Sequence, residues 1–288
     1  MKGVLAGILT LLVWGQGAWA ATGETAALLD MGVGARALGM GGAFVGMAAD
    51  PSALAYNPAA LAYVTGQQVS AYAARPFGVL DHLSVGVAGA HMGLTLLHLG
   101  ASGALATNEF GNPTPHALSF ASHAAIAGFG YALAPGLSLG GQLKVYVEEN
   151  GAASGVGWAL EPALLYADGP WMAGAVLRNA LSDPIAFDDG HRRFWSRSLV
   201  LGASWTWEDE SGWMVKLAGD VDGLLQGDLG FHAGGELWLK TLGLRIGWDR
   251  GAFTAGASVL HGDLALHIAY GFHPVLPPTV RLSASTAL

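Results

Sequence analysis

The sequence contains no cysteine, and charged residues make up only 12% of its 288 positions. Without cysteine there is no disulfide, no thiolate metal ligand, no cysteine nucleophile and no acylated cysteine of the lipoprotein kind. Soluble domains carry about 25% charged residues, so the chain has roughly half the charge expected of a surface that faces water. Its 52% hydrophobic residues and 44 glycines favour a protein whose outer surface faces lipid.

Sequence signatures of several other functional classes are also missing. The chain has no His-Glu-x-x-His motif and no P-loop. Gly32-Val33-Gly34 lacks the third glycine and the preceding strand of a dinucleotide-binding turn. The net charge is −8 and basic residues are not clustered, which argues against nucleic acid as a partner. We therefore expect no enzymatic activity and no cofactor or metal, and we interpret histidines at inward positions (His232, His267 and His273) as polar filling.

The N-terminus has the features of a secretory signal peptide. Lys2 supplies a short positive region, Val4 to Trp14 form an apolar run, and Ala18-Trp19-Ala20 matches an A-x-A cleavage site. The apolar run is too short to span a bilayer as a helix, which needs about 20 residues; the alternative is an N-terminal anchor. Later apolar stretches are interrupted by Gly, Pro or charge. A closed β-barrel is the other structure that satisfies every backbone group in lipid.

From about residue 67 onward, apolar residues recur at every second position. Leu242, Leu244, Ile246 and Trp248 alternate with Gly243, Arg245, Gly247 and Asp249. This period, with one apolar face and one polar face, is typical of transmembrane barrel strands. It predicts an all-β, transmembrane antiparallel barrel of fourteen strands near 67–75, 82–90, 93–100, 120–133, 137–148, 155–167, 170–179, 197–208, 212–222, 230–240, 241–249, 252–260, 263–272 and 278–288. Longer loops are expected at Thr107–Pro115 and Ser182–Arg193.

The polar face of the predicted strands should line the lumen. The candidates for inward-facing charged residues are Lys144, Glu161, Lys216, Asp220, Glu236, Arg245 and Arg281. Such charges usually pair with one another or with a segment inside the barrel, and contact with a ligand is the alternative. Aromatic residues with outward parity near strand ends, such as Trp158, Tyr166 and Trp213, favour girdles at the lipid–water boundaries.

Residues 21–66 do not alternate. Asp50-Pro51 and Asn57-Pro58 each place a preferred N-cap residue before a proline at the first helical position. Two short helices are therefore expected, at about 51–56 and 58–63. The glycines that precede them allow positive φ and close backbone packing.

One stretch of this segment resembles a known family. Gly34-Ala35-Arg36-Ala37-Leu38-Gly39-Met40-Gly41-Gly42-Ala43-Phe44, followed by Asp50 and by Asn57-Pro58-Ala59, is similar to the PorV/PorQ-type outer-membrane proteins, relatives of the FadL long-chain fatty-acid transporter fold. Phe231 to Trp238, Leu244 to Trp248 and Phe253 to Gly256 also resemble that family.

The resemblance implies a fourteen-stranded barrel closed by an N-terminal hatch that contains Asn57. Residues 1–20 would be the signal peptide, 21–66 the hatch and 67–288 the barrel, and the hatch or gate candidates are Asp50, Asn57, Pro58, Gly41 and Gly42. In the FadL fold the third strand is kinked to give a lateral exit, which makes Gly93 the candidate for such an opening; an ordinary strand beside an apolar hatch is the alternative. Barrels of this kind usually end in an aromatic residue recognised by the assembly machinery, whereas this sequence ends in Leu288.

Three functions remain open on the sequence. The first is an outer-membrane channel for hydrophobic, fatty-acid-like molecules. The second is a barrel that binds the exported cargo proteins of a secretion system, as PorV does. The third is a structural outer-membrane role. The expected partners are outer-membrane lipid, the barrel-assembly machinery, and either a hydrophobic ligand or a secreted protein.

Overall fold

A computed structural model of the chain describes residues 27–47, 50–101, 105–107, 112–117, 120–151, 153–273 and 276–288. The predicted signal peptide and its cleavage site lie outside these residues. Within them no helix is both long enough and apolar enough to cross a membrane.

The described part of the chain consists mainly of strands. They are β1 (Gln67–Ala74), β2 (Leu80–Gly89), β3 (Met92–Ala101), β4 (Leu105–Thr107), β5 (Pro113–Ala117), β6 (Phe120–Ala134), β7 (Leu137–Asn150), β8 (Ala153–Asp168), β9 (Trp171–Arg178), β10 (Leu181–Phe187), β11 (Arg192–Arg193), β12 (Ser198–Glu208), β13 (Trp213–Asp222), β14 (Gly230–Leu239), β15 (Leu242–Asp249), β16 (Ala252–His261), β17 (Leu264–Gly271) and β18 (Thr279–Ala287).

Fourteen of these strands form a closed antiparallel barrel. Each pairs with its neighbours in the order β1, β2, β3, β6, β7, β8, β9, β12 and then β13 to β18, and β18 pairs back with β1. The prediction of fourteen strands is confirmed, and every predicted strand end lies within two residues of the observed one. Within the ring of these fourteen strands every strand is paired on both sides, which is the condition for a sheet to span lipid.

The alternation seen in the sequence corresponds to the two faces of the wall. On β15, Ile246 is 71% exposed on the outside, whereas the adjacent Arg245 is 3% exposed on the inside. Leu217, Leu244 and Leu282 are likewise exposed outward. An apolar outer surface of this extent is a large cost in water and suits hydrocarbon.

The wall is irregular beside β8. β9 pairs with the lower half of β8 from Ala163 to Asp168, and β10 pairs with its upper half from Gly155 to Leu160. β9 pairs onward with β12, starting from Arg178 and Ser198, whereas β10 pairs with the short β11, at Ile185 and Arg193. The hydrogen-bonded ladder is therefore interrupted between these two pairs. The expectation of loops at Thr107–Pro115 and Ser182–Arg193 is therefore wrong in part. Strands β4–β5 and β10–β11 lie there, and β10 forms because the long β8 offers its unpaired upper half.

The N-terminal residues lie inside the barrel. They contain helices α1 (Ala27–Asp30) and α2 (Ala35–Gly39) and the 3₁₀ helices Pro51–Ala55 and Pro58–Tyr63; the two helices expected after the prolines are thus 3₁₀ rather than α. A further 3₁₀ turn, Pro76–Gly78, joins β1 to β2. Helix α2 packs against β15 to β18, and the helix Pro58–Tyr63 packs against β6 to β8. Residues 27–47 and 50–64 are called the inner segment below.

Candidate functional site

A buried network of charges joins the inner segment to the barrel wall. The Arg36 guanidinium donates to Glu236 through Nε at 2.9 Å and Nη2 at 2.7 Å, and through Nη1 to Asp50 Oδ2 at 3.0 Å. Arg245 lies on the other side of Glu236, with 3.1 Å between Nη2 and Oε1. A paired geometry of this kind is what makes buried charge tolerable. The network connects α2 to β14 and β15.

Asp50 has a second role in this network. Its Oδ1 accepts from the backbone N–H of Ser52 at 2.9 Å and so caps the helix Pro51–Ala55. Burial raises the pKa of Asp50, but the Arg36 guanidinium and the hydrogen bonds from Ser52 outweigh it, so the pKa lies below its ordinary value. Asp50 is therefore held ionised beside Arg36.

Asn57 fixes the second 3₁₀ helix to the wall. The side chain is fully buried, and its Oδ1 accepts from the N–H of Ala59 at 3.0 Å, which caps the helix that Pro58 begins. Its Nδ2 donates to Val45 O at 2.8 Å and to Leu164 O on β8 at 3.1 Å. The side-chain amide of Asn57 thus forms hydrogen bonds to the helix end, to a neighbouring turn and to the barrel wall.

The turn after α2 is held by contacts that require glycine. Gly41 and Gly42 have φ of 68° and 78°, a region open to glycine without strain. The N–H of Gly41 donates to Thr254 Oγ1 at 3.1 Å, and its carbonyl lies 3.0 Å from His232 Nδ1. A Cβ at Gly41 would lie 2.4 Å from Trp248 O, so the backbone of the inner segment touches the backbone of the wall.

The other predicted inward residues fall into three groups. Asp220 holds the inner segment, since its Oδ2 accepts from the N–H groups of Phe44 at 2.7 Å and Val45 at 2.9 Å. Lys144 and Glu161 pair across the wall at 2.8 Å, and Gln142 also donates to Glu161, at 2.6 Å. Lys216 and Arg281 face inward, and Lys216 is close enough to Arg36, Glu236 and Asp50 to interact with their charges.

Two vestibules lie at the ends of the barrel, on either side of the inner segment. The one beside the longer connections encloses about 750 Å³. Its wall carries charged groups, including Arg178, Asp222 and Arg250, and its floor is formed by apolar side chains of the inner segment, including Leu29, Met31 and Leu38. The one at the end with the tight turns encloses about 490 Å³ and is lined by Arg36, Lys216, Trp238 and Lys240 among others.

Between the vestibules, one half of the lumen, called the apolar half, is lined mainly by apolar side chains but also holds Gln142 and the Lys144–Glu161 pair. The other half is polar. Strands β3, β6, β8, β9 and β12 present buried apolar side chains inward: Leu97, Leu99, Ala124, Ile126, Leu165, Val176 and Val200. These form one hydrophobic cluster with Leu28, Phe44, Leu54 and Leu61 of the inner segment. The opposite strands, β13 to β18, present Asp220, Glu236, Arg245, Thr254, Ser258 and His267.

A lateral opening at Gly93 does not form. β3 pairs with β2 and with β6 from Met92 to Ala101 without a register shift, so the wall is continuous at this glycine. A Cβ on Gly93 would lie 3.1 Å from Leu54 and 3.3 Å from Leu61. The apolar inward face of β3 is explained by packing on the inner segment, which is the alternative that the sequence also allowed.

Arg36 and His232 are central to the site, and sequence reasoning did not select either as a site residue. Arg36 stands in the motif that carries the family resemblance, and it is the only Lys or Arg between Lys2 and Arg75. That isolation was a usable signal, because a lone cation in an apolar segment inside a barrel needs a partner on the wall.

Among the described residues no group of three or more His, Asp or Glu is placed to hold a metal ion.

Comparison with known proteins shows likeness in structure. No protein-family model matches the chain, and no curated protein matches it in sequence. The Ralstonia pickettii toluene transporter TbuX is similar, with a TM-score of 0.61 and 12% identity over 89% of this chain and 98% of that one. The Pseudomonas putida toluene transporter TodX gives a TM-score of 0.59 and 15% identity, over 88% and 97%. A TodX deltaS2S3 mutant monoaromatic hydrocarbon channel gives 0.60 and 14%, over 89% and 99%. At these identities the likeness shows the fold, and the chain therefore shares with these proteins a closed, fourteen-stranded antiparallel transmembrane barrel.

Proposed function

We propose that the protein is an outer-membrane channel for small hydrophobic molecules and that the inner segment is its hatch. The observation that carries the proposal is the apolar half of the lumen, from Leu97 and Leu99 through Ile126 and Leu165 to Val200. The interior of a water-filled porin is polar. A lumen with an apolar half serves a solute that prefers hydrocarbon to water.

The orientation of the barrel in the membrane follows from its two ends. Bacterial barrels have short periplasmic turns and longer extracellular loops, so the 750 Å³ vestibule faces outward. A solute enters there and meets the apolar floor formed by Leu29, Met31 and Leu38. The 490 Å³ vestibule at the tight turns faces the periplasm.

Selectivity for apolar solutes follows from what the hatch covers. Its own apolar residues, such as Phe44 and Leu61, are packed on the apolar half of the wall. Displacing the hatch into a water-filled lumen exposes both surfaces, at about 25 cal/mol for each Å² of apolar area. A hydrophobic solute that takes the place of the hatch on the wall lowers that cost, whereas a sugar or an ion does not.

The likeness to TbuX and TodX supports this proposal, since both are named as toluene transporters. The solute for which those proteins are named and the apolar half of this lumen support the same chemical class of solute. The proposal includes export through the predicted signal peptide, residence in the outer membrane, insertion by the barrel-assembly machinery and no enzymatic activity. Recovery of the protein in the outer-membrane fraction, with a mature N-terminus near Ala21, is the expected result of fractionation and N-terminal sequencing.

The channel is tested by uptake in a bacterial host with a lipopolysaccharide outer membrane, which admits toluene slowly. Cells that produce the protein should take up toluene faster than cells with the empty vector, while uptake of a disaccharide should not change. Leu165 lies fully buried on the apolar half, so Leu165→Gln should lower toluene uptake and the matched Leu165→Met should not. Equal entry of disaccharide and toluene, or no gain over the empty vector, would refute the proposal.

The PorV-type function, binding of an exported protein, is the second candidate, and one observation favours it. β6, β7 and β8 have 15, 14 and 16 residues and exceed the other barrel strands, and β11 ends this raised sheet with one unpaired side. An open strand edge can accept a strand of another chain. Loss of one defined secreted protein from the cell surface on deletion of 181–193, with toluene uptake unchanged, would favour this candidate.

A further inference from the structure

Two histidines stand side by side on the outer surface of the barrel wall. His98 of β3 and His123 of β6 are register partners and share the outward face with Leu96 and Phe129. Their Nδ1 atoms lie 3.4 Å apart and their ring centroids 4.8 Å apart. Polar pairs are out of place on a face that otherwise carries apolar residues, and neither ring takes part in the charge network of the lumen.

The pair lies near the outer boundary of the membrane. On β6, His123 is eight residues from Tyr131, an exposed outward aromatic beside the tight turn that joins β6 to β7. At about 3.3 Å for each residue and a tilt of about 40°, eight residues rise roughly 20 Å along the barrel axis. The apolar band of such barrels is about 25 Å tall, so the pair lies within roughly 5 Å of the outer edge of that band, and Asp81 and Glu149 mark the polar level one outward position beyond it.

The separation of the two rings is that of ligands on one metal ion. Zinc binds imidazole nitrogen at about 2.0–2.1 Å in tetrahedral geometry, which places two ligand nitrogens about 3.3–3.4 Å from each other. The observed Nδ1–Nδ1 distance is 3.4 Å. We propose that His98 and His123 together bind a divalent transition-metal ion, Zn²⁺ or Cu²⁺, on the outer surface of the barrel.

The surrounding wall keeps this arrangement in place. β3 and β6 are paired with each other without a register shift from Met92 to Ala101, so the two Cα positions are fixed before metal arrives. Gly100 leaves space for the His98 ring, since a Cβ there would lie 2.9 Å from its Nε2. Ligands that are preorganised lose little entropy on binding.

Negative charge lies above the pair. At the next outward position toward the outer end, Asp81 is the register partner of Gly100 and Glu149 that of Ala121. Asp81 is paired with Arg75 at 3.7 Å, so the negative charge that favours a cation beside the histidines comes from Glu149. With two protein ligands, the other coordination positions belong to water, so the site exchanges metal freely rather than holding it as a structural centre.

The test uses the folded protein in detergent, without a histidine tag. Zn²⁺ is titrated by competition with a chromophoric chelator for wild type, His98→Gln, His123→Gln and the double variant, with heat-shifted gel mobility as the check on folding. The control is His261→Gln, because His261 is exposed at the end of β16. Each single variant should bind Zn²⁺ at least tenfold more weakly, the double variant should be no weaker than either, and the control should match wild type.

A spectroscopic measurement tests the site without relying on variants. Cu²⁺ added at one equivalent should give an electron paramagnetic resonance spectrum with coupling to two nitrogens. Coupling to one nitrogen, equal weakening of Zn²⁺ binding in the His261→Gln control, or undiminished binding in either single variant would overturn the proposal.

Discussion

Replacing Arg36 by methionine should open the hatch while leaving the barrel closed. Methionine keeps most of the length of the side chain but removes all three hydrogen bonds to Glu236 and Asp50. Breaking a buried ion pair costs about 3–5 kcal/mol. Glu236 keeps Arg245 at 3.1 Å, so we expect the lower end, about 3 kcal/mol, which corresponds to a roughly 150-fold shift toward the displaced hatch.

The shift should appear as conductance. Single-channel recordings in planar bilayers should give longer and more frequent open periods for Arg36→Met than for wild type. The double variant Arg36→Met/Glu236→Gln should change the free energy of displacing the hatch by less than the sum of the changes in the two single variants, because the two residues share one network.

A matched control separates the hatch from the wall. Lys144→Met breaks a pair that is as buried as the Arg36 pair but joins β7 to β8 within the wall. It should lower the urea midpoint of unfolding without changing conductance. The reasoning is refuted if folded Arg36→Met barrels conduct like wild type, or if Lys144→Met conducts as much as Arg36→Met.

Three further substitutions test other contacts. Asn57→Ala removes a helix cap worth about 1 kcal/mol and should raise conductance while the folded gel band persists; loss of that band would show instead that the barrel cannot form without this contact. Gly140→Ala places a Cβ 2.2 Å from the backbone nitrogen of Ala59 and should displace the second 3₁₀ helix, measured as increased conductance, whereas Gly141→Ala, which faces outward, should not. Leu217→Arg on the lipid face should cost about 2–4 kcal/mol in a folding titration, and equal losses from the inward Lys216→Arg would contradict the assigned faces.

The barrel could be predicted because the sequence pattern of each strand and turn depends only on neighbouring residues. Each strand carries its own alternation, as Leu242 to Asp249 does, and most tight turns carry their own glycine or proline, the turns at Ala90-His91 and Lys240-Thr241 being exceptions. A strand that must face lipid on one side and a lumen on the other has one arrangement with period two. Strand ends could therefore be placed without knowledge of which strands pair.

The contacts of the hatch were less predictable because they depend on distant residues. The N-caps at Asp50 and Asn57 could be read from their neighbours, but the pairing of Arg36 with Glu236 spans 200 residues. The lateral opening at Gly93 could not be predicted from an apolar strand alone. Apolar residues on the inward face of a strand can line a path for a hydrophobic solute, or they can pack against a hydrophobic segment inside the barrel, and the sequence of the strand is the same in both cases. β10 was not predicted because it forms only where β9 ends and leaves part of the longer β8 without a partner. That difference in strand length cannot be read from the sequence of β10.

Contact of the inner segment with every strand of the wall constrains how the molecule is made. Its helices touch β1, β2, β3, β6, β7 and β8 on one side and β15 to β18 on the other, and its intervening turns reach β9, β12, β13 and β14. A wall that fits its contents this closely leaves no clearance for a folded segment to be threaded in afterwards. We therefore expect the strands to close around the segment during insertion, with the β1–β18 seam, which joins the first and last strands of the wall to be synthesised, as the last ladder to form. On this expectation the inner segment acts as a template for the circumference of the barrel, in addition to its proposed role as a hatch.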